Sequence, residues 1–206
     1  MGTSPWVASN GITSVTGLNT VTLTVVDNNG NTDTETATVT VLDTVAPVVV
    51  TQNITVQLNS SGAASITATQ INDGSSDACG IDTMYLDNYD YACSNVGTNT
   101  VTLTVVDVNG NEDTETATVT VEDNEQPTIQ AQNITVYVDA TGEANFTTAM
   151  IDTASYDNCG IDTSYLTAYS FGCENVLELG GEHIIVLYVE DVNGNVSAAN
   201  ITVTVK

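Results

Sequence analysis

Asn19 to Val41 and Asn99 to Val121 are the same twenty-three-residue stretch at an offset of 80, differing only at Asn28 against Val108 and Thr32 against Glu112. An altered third copy runs from Glu182 to Val205. Asn53-Ile-Thr-Val56 returns as Asn133-Ile-Thr-Val136, and Cys79-Gly-Ile-Asp-Thr83 as Cys159-Gly-Ile-Asp-Thr163, again 80 apart. A fixed period of this kind means a repeated structural unit, so the chain must fold as an array of one design. The third copy gains four residues around Leu177 to Gly180, which places Asp191 opposite Asp107.

Inside the repeat the pattern is one of strands. Val101, Leu103 and Val105 alternate with Thr100, Thr102 and Thr104, and Ala117, Val119 and Val121 alternate with Thr116, Thr118 and Thr120. Period-two alternation of β-branched residues marks half-buried antiparallel strands, and the Asn-Gly between them marks a hairpin turn. Helix signals are nearly absent. In the middle unit the reading gives strand A over 48–58, B over 64–71, C over 81–86, short D and E pieces within 87–97, and F and G over 98–121. In the next unit A covers 128–138 and B 144–150. About seven short strands in 80 residues is the count of an immunoglobulin-like sandwich. The expected fold is all-β, tandem immunoglobulin-like antiparallel β-sandwiches set end to end. Residues 1–43 match the C-terminal half of a repeat, 44–123 one full repeat and 124–206 a second. The half-repeat is either a piece cut within a repeat or a sheet completed by strands from a neighbouring chain.

One Lys+Arg stands against 26 Asp+Glu, a formal charge of −25. Phosphate recognition needs a basic face, so nucleic acid is not an expected partner, and an anionic membrane surface would repel the chain. No run of ~18 apolar residues is present, so no membrane span is expected. No signal peptide stands at Met1, so a secreted protein would be represented by an internal fragment. The four cysteines fall as Cys79 with Cys93 and Cys159 with Cys173, both fourteen apart. The repeated spacing predicts two disulfides, each within a repeat, and an oxidising compartment. Zinc is disfavoured because the short Cys-x-x-Cys spacing is missing.

The acids gather at one end of each unit. Strand direction alternates through a sandwich, so the B–C loop and the F–G turn belong at the end where the linker arrives. For the middle unit this collects Asp43, Asp77, Asp107, Asn109, Asn111 and Asp113. For the last unit it collects Asp123, Glu125, Asp157, Asp191, Asn193 and Asn195. The first copy of the turn adds Asp27, Asn29, Asn31 and Asp33. Oxygen ligands of this type suit Ca²⁺, which takes six to eight of them. The competing reading is an Asn-Gly hairpin turn that holds no ion. His183 has no repeat counterpart and reads as a surface residue. Tyr85, Tyr89 and Tyr91 read as core and rim packing rather than a sugar platform. No Ser/His/Asp set recurs, so no catalytic site is expected.

The Asn-Ile-Thr-Val strand, the Asp-x-Cys-Gly loop, the Asp-x-Asn-Gly-Asn turn and the Asp-x-x-x-Pro linker together resemble hyalin-repeat (HYR) arrays. More narrowly, the chain is similar to the near-identical repeats of giant secreted adhesins of Bacteroidota, those of gliding motility included. The resemblance implies a non-enzymatic extracellular stalk or spacer on the cell surface, with neighbouring repeats, and in a filament identical chains, as its partners. It also implies O-glycosylation at Thr44, Thr83 and Thr153, each within an Asp-Thr-x motif. Two other readings stay open: a fibre subunit joined by strand complementation of the half-repeat, and a glycan- or surface-binding module.

Overall fold

A computed structural model describes residues 16–176 and 181–206. Thr13, the counterpart of Cys93, and the four-residue gain at 177–180 lie outside the described residues. The alternation yields the strands it promised. β1 (Gly17–Val26) and β2 (Thr32–Val41) form a two-stranded antiparallel ribbon with Leu23 opposite Glu35. The middle repeat supplies β3 (Ile54–Gln57), β4 (Ala63–Ser65), β5 (Ile81–Leu86), β6 (Asp90–Ala92), β7 (Gly97–Asp107) and β8 (Glu112–Glu122). The last repeat supplies their counterparts β9 (Ile134–Val136), β10 (Glu143–Asn145), β11 (Ile161–Leu166), β12 (Ser170–Gly172), β13 (Glu182–Asp191) and β14 (Val196–Val205).

Each repeat is an all-β sandwich of one four-stranded and one two-stranded sheet. The orders are β3-β8-β7-β5 with β4-β6, and β9-β14-β13-β11 with β10-β12. The immunoglobulin-like class therefore stands. One departure is that the first strand pairs parallel with the last, Ile54 beside Val119 and Ile134 beside Val203. Both strands leave the linker end, so they lie side by side in the same sense. Strand A is broken: Val48 bridges Ser76 and Thr51 bridges Asn72 before β3 joins β8.

A second departure is helical. The expected strand B stops after three residues, and α1 (Ala68–Ile71) and α2 (Thr148–Ile151) follow β4 and β10. In α1 the Thr67 amide donates to Gln70 Oε1 at 2.8 Å, one half of a capping box. Ile71 and Ile151 are both fully buried, which is what each single turn delivers to the core.

By contact the chain divides into two compact units: residues to Val49 with Ser75–Met84 and Thr104–Thr114, and Val50–Gly74 with Tyr85–Leu103 and Glu115–Lys206. Within the second, one apolar cluster joins Phe146 and Ile151 to Ile185, Leu187 and Val189 of β13 and Ile201, Val203 and Val205 of β14. Burial of each such side chain stabilises by about 1.5–3 kcal/mol. Within the first, the β1–β2 ribbon has no such cover among the described residues. Leu23 and Val25 are 49 % and 44 % exposed, whereas Leu103 and Val105, the same residues one repeat on, are 0 % exposed.

Candidate functional site

The Asp-x-Asn-Gly-Asn turn closes on itself in all three copies. Asp107 Oδ1 accepts from the Asn109 and Asn111 amides, both at 2.8 Å, and its Oδ2 from Asn111 Nδ2 at 2.7 Å. Asp191 is held identically by Asn193 and Asn195, and Asp27 by Asn29 and Asn31. Asp107 and Asp191 are each 1 % exposed. Burial works to raise the Asp107 pKa, but the bonds from Asn111, Asn109 and Gly110 outweigh it and hold the carboxyl below its ordinary value. These acids are therefore satisfied by their own turns.

The turn then fastens the linker. Asn195 Nδ2 donates to the Asp123 carbonyl at 3.1 Å, and Asn111 Nδ2 to the Asp43 carbonyl at 3.4 Å. The B–C loop arrives from the side: the Val108 amide donates to Gly80 O and the Val192 amide to Gly160 O, each at 3.1 Å. Asp43 and Asp77 approach with Cys79, their ligand-type atoms all within 4.8 Å of one another, and Asp123 and Asp157 do so with Cys159. Hydrogen bonding to Asp43, then partial burial, then the charges of Asp43, Asp77 and Asp107 push the Cys79 thiol pKa up.

Two oxygens in these groups lack any partner. Asp43 Oδ2 and Asp123 Oδ2 are buried and unbonded, as are Asn158 Oδ1 and Asn193 Oδ1 beside Asp123 and Asp191. Asp123 is only 5 % exposed. A buried acceptor left without a donor costs about 1–3 kcal/mol, more when charged. That fits a hard cation on Asp123 and Asp157, with Asn193 within the same loop set, and a poorer equivalent on Asp43 and Asp77. Cys159 is not available to it as a thiolate. The remaining expected ligands stand apart: Asp113 and Asp33 are exposed on β8 and β2, each bonding the amide of its next residue. Glu125 is exposed and directs its backbone amide to Asp123 Oδ1 at 3.3 Å.

The cysteine pairing differs from the expected one. Neither Cys79–Cys93 nor Cys159–Cys173 forms. Cys93 bonds Cys159 of the following repeat, with Cα atoms 5.3 Å apart, while Cys79 and Cys173 are free and exposed. The reason is strand parity. In the last repeat Cys159 belongs to the loop beside the β13–β14 turn, and Cys173 precedes the opposite end of β13. Ten residues of strand separate those ends, about 30 Å. Reading from sequence also missed Asn158, whose Nδ2 donates to Asn59 O at 3.1 Å and to Asp123 Oδ1 at 3.2 Å. Its counterpart is Ala78, so the repeat offered no signal for it.

His183 is half-buried rather than on the surface. Its ring stacks on Phe171 at 4.7 Å and its Nε2 lies 2.8 Å from the Asn175 carbonyl. Of the tyrosines, Tyr91 is 3 % exposed, and the Tyr89 hydroxyl accepts from the Leu86 amide at 2.9 Å. Thr44, Thr83 and Thr153 are all exposed, though the Thr153 hydroxyl donates to Gln130 O.

No family model and no curated protein matches the chain. Among solved structures it is similar to protocadherin gamma B7 extracellular cadherin domains 1–4, at 14 % identity and a TM-score of 0.40, over 92 % of this chain and 58 % of that one. It is also similar to Drosophila N-cadherin EC1-4, at 10 % identity and a TM-score of 0.41, over 94 % and 58 %. The chain thus spans less than two thirds of either.

Proposed function

We propose that the chain is a non-enzymatic run of extracellular spacer repeats in a cell-surface adhesin or filament, with joints locked by a disulfide and by a divalent cation. One observation carries this reading: the joint between the middle and last repeats is itself a bonded structure. Cys93–Cys159, Asn158 on Asn59 O and Asn195 on the Asp123 carbonyl all cross or brace it. A chain whose repeats are fastened to one another serves reach and rigidity. The HYR-like motifs agree with that use, and a disulfide agrees with an oxidising, extracellular setting.

Asp123 and Asp157 would hold the cation, Ca²⁺ being the ion suited to carboxylate and amide oxygens with water completing the shell. When bound it neutralises the two carboxylates and satisfies Asp123 Oδ2. The test is thermal unfolding of the full chain with and without millimolar Ca²⁺ at fixed ionic strength, against an Asp123→Asn/Asp157→Asn variant. A rise in Tm with Ca²⁺ that the variant loses supports the site, because a ligand of the native state stabilises by mass action. An equal rise with monovalent salt would reduce the effect to charge screening.

A second reading rests on the ribbon β1–β2. Its apolar face is exposed where the identical face of β7–β8 is buried, so strands from another segment would complete it. Loss of hydrogen-exchange protection across 17–41 relative to 97–122 on dilution would favour an intermolecular complement.

A further inference from the structure

We propose that the cation site at Asp123 and Asp157 and the Cys93–Cys159 bridge are redox-linked: closing the bridge raises the affinity for Ca²⁺, and bound Ca²⁺ protects the bridge from reduction. This rests on the cation reading above and adds its regulation.

Three consecutive residues carry the link. Asp157 is the ligand, Asn158 the clamp and Cys159 the bridge. Asp157 Oδ2 accepts from the Cys159 amide at 2.8 Å, so the acid and the bridged residue form one closed turn. Asn158 Nδ2 donates to Asn59 O at 3.1 Å and to Asp123 Oδ1 at 3.2 Å, which ties the second carboxylate to the same loop. The Asn158 carbonyl lies 3.5 Å from Cys93 Sγ. A Cβ on Gly62 would come within 3.1 Å of that carbonyl, so the bridge seats the loop close against the turn before β4. At the end of the loop Gly160 O accepts from the Val192 amide at 3.1 Å. Beside it is Asn193, whose buried Oδ1 has no partner.

The sign of a ligand is Asp123 itself. It is 5 % exposed, and its Oδ2 meets no donor. A buried carboxylate oxygen without a partner is costly, and a cation that takes oxygen ligands removes that cost. An open joint would let water do the same. The bridge therefore favours the state in which a cation is what satisfies Asp123. It also fixes Asp157 in place beforehand, which lowers the ordering cost of binding.

The middle repeat holds the same loop without the bridge. Asp77 Oδ1 accepts from the Cys79 amide at 2.7 Å, but Ala78 stands where the clamp would be and Cys79 is free. Its sulfur lies within 4.8 Å of the Asp43 and Asp77 oxygens, and Asp43 is only half-buried. Reduction would give Cys159 the same free thiol beside Asp123 and Asp157. A soft, protonated sulfur is a poor ligand for a hard cation and a competing donor to its carboxylates. A looser loop and a thiol on the carboxylates both weaken Ca²⁺.

Reduction by a dithiol breaks the Cys93–Cys159 S–S bond. The dithiol supplies two electrons and two protons, each cysteine sulfur ends as a thiol, and the reductant closes its own disulfide. Linkage makes the effect reciprocal: the factor by which reduction weakens Ca²⁺ equals the factor by which saturating Ca²⁺ disfavours reduction.

The test measures that factor twice on the full chain. Calorimetric titration with CaCl₂ gives the Kd of the oxidised and the dithiothreitol-reduced protein, with circular dichroism checking that the reduced chain keeps its strands. Separately, the chain is equilibrated in mixtures of reduced and oxidised dithiothreitol, with and without millimolar CaCl₂ at fixed ionic strength. Thiols are trapped by alkylation, and the bridged fraction is read from the Cys93 and Cys159 peptides by mass spectrometry. Asp123→Asn/Asp157→Asn is run alongside. The expected result is a Kd about fivefold or more weaker after reduction, an equal shift of the bridge equilibrium by Ca²⁺, and no shift in the variant. Asn158→Ala keeps the bridge and frees the clamp, so its Kd should rise as well; an unchanged Kd would overturn the loop as carrier of the link. A bridge equilibrium that ignores Ca²⁺, or that shifts equally in the Asp variant, overturns the proposal. Equally tight binding in both redox states overturns the linkage and leaves the cation reading standing, whereas no binding in either state overturns both.

Discussion

Asp139 shows how one acceptor oxygen sets a turn and its pH response. The Thr141 hydroxyl first, then the Glu143 and Thr141 amides, hold its pKa below the ordinary 3.8. A carboxylate depressed in the folded state contributes stability above its unfolded pKa and loses it as pH falls through the folded value. The contribution is therefore complete at pH 7 and fades below 3.8. Asn59 makes the same set of bonds with an amide oxygen in the middle repeat, so Asp139→Asn keeps the acceptor and removes the titration. Its Tm is expected to match the parent at pH 7 and to fall less than the parent's between pH 5 and pH 3. A greater fall in the variant would contradict this account. Asn158 acts at the same scale. Asn158→Ala removes two donated bonds, and about 1 kcal/mol should be lost in urea unfolding at neutral pH.

At the scale of elements, the same sequence sits in two environments. Leu23 and Leu103 occupy equivalent positions of near-identical hairpins, 49 % and 0 % exposed. Leu103→Ala opens a cavity in a closed core and should cost about 2–5 kcal/mol. Leu23→Ala removes little buried surface and should leave the main unfolding transition in place; comparable losses would mean that β1–β2 is covered in solution. The strands were legible because β7, β8, β13 and β14 obey strict period-two alternation and end at Asn-Gly turns. The helical turns α1 and α2 were not, because four residues are too few to display a 3.6 period, and Thr-x-x-Gln at Thr67–Gln70 was the one cue. The convergence of linker, loop and turn followed from strand parity. The buried, unpartnered Asp43 Oδ2 and Asp123 Oδ2 did not, since which oxygen of a carboxylate is left without a donor depends on side-chain placement that residue spacing does not encode.

At the scale of the whole molecule, the disulfide decides what unfolds with what. Spacings of 14 within a repeat and 66 between repeats sum to the period of 80, so the period by itself is compatible with either scheme, and the even count of four favoured the one within repeats that does not form. The topology chooses, because a sandwich separates its B–C loop from the far end of its F strand. A bridge within a repeat would stabilise that repeat by itself. A bridge between repeats instead closes a loop that includes all of β7 and β8, the linker and the first strands of the next repeat. With the cysteines 66 apart in sequence, the chain-entropy model gives about 4 kcal/mol. Cys93→Ser/Cys159→Ser should therefore lower the urea midpoint substantially. It should also split a single transition into two, as the middle and last repeats lose their shared constraint on the unfolded chain. Reductant added to the parent should reproduce both changes, and should leave the variant unaffected. If the variant keeps one transition at the parent midpoint, the polar grip of Asn158 and Asn195 holds the joint without the bond, and rigidity along the array comes from those amides instead.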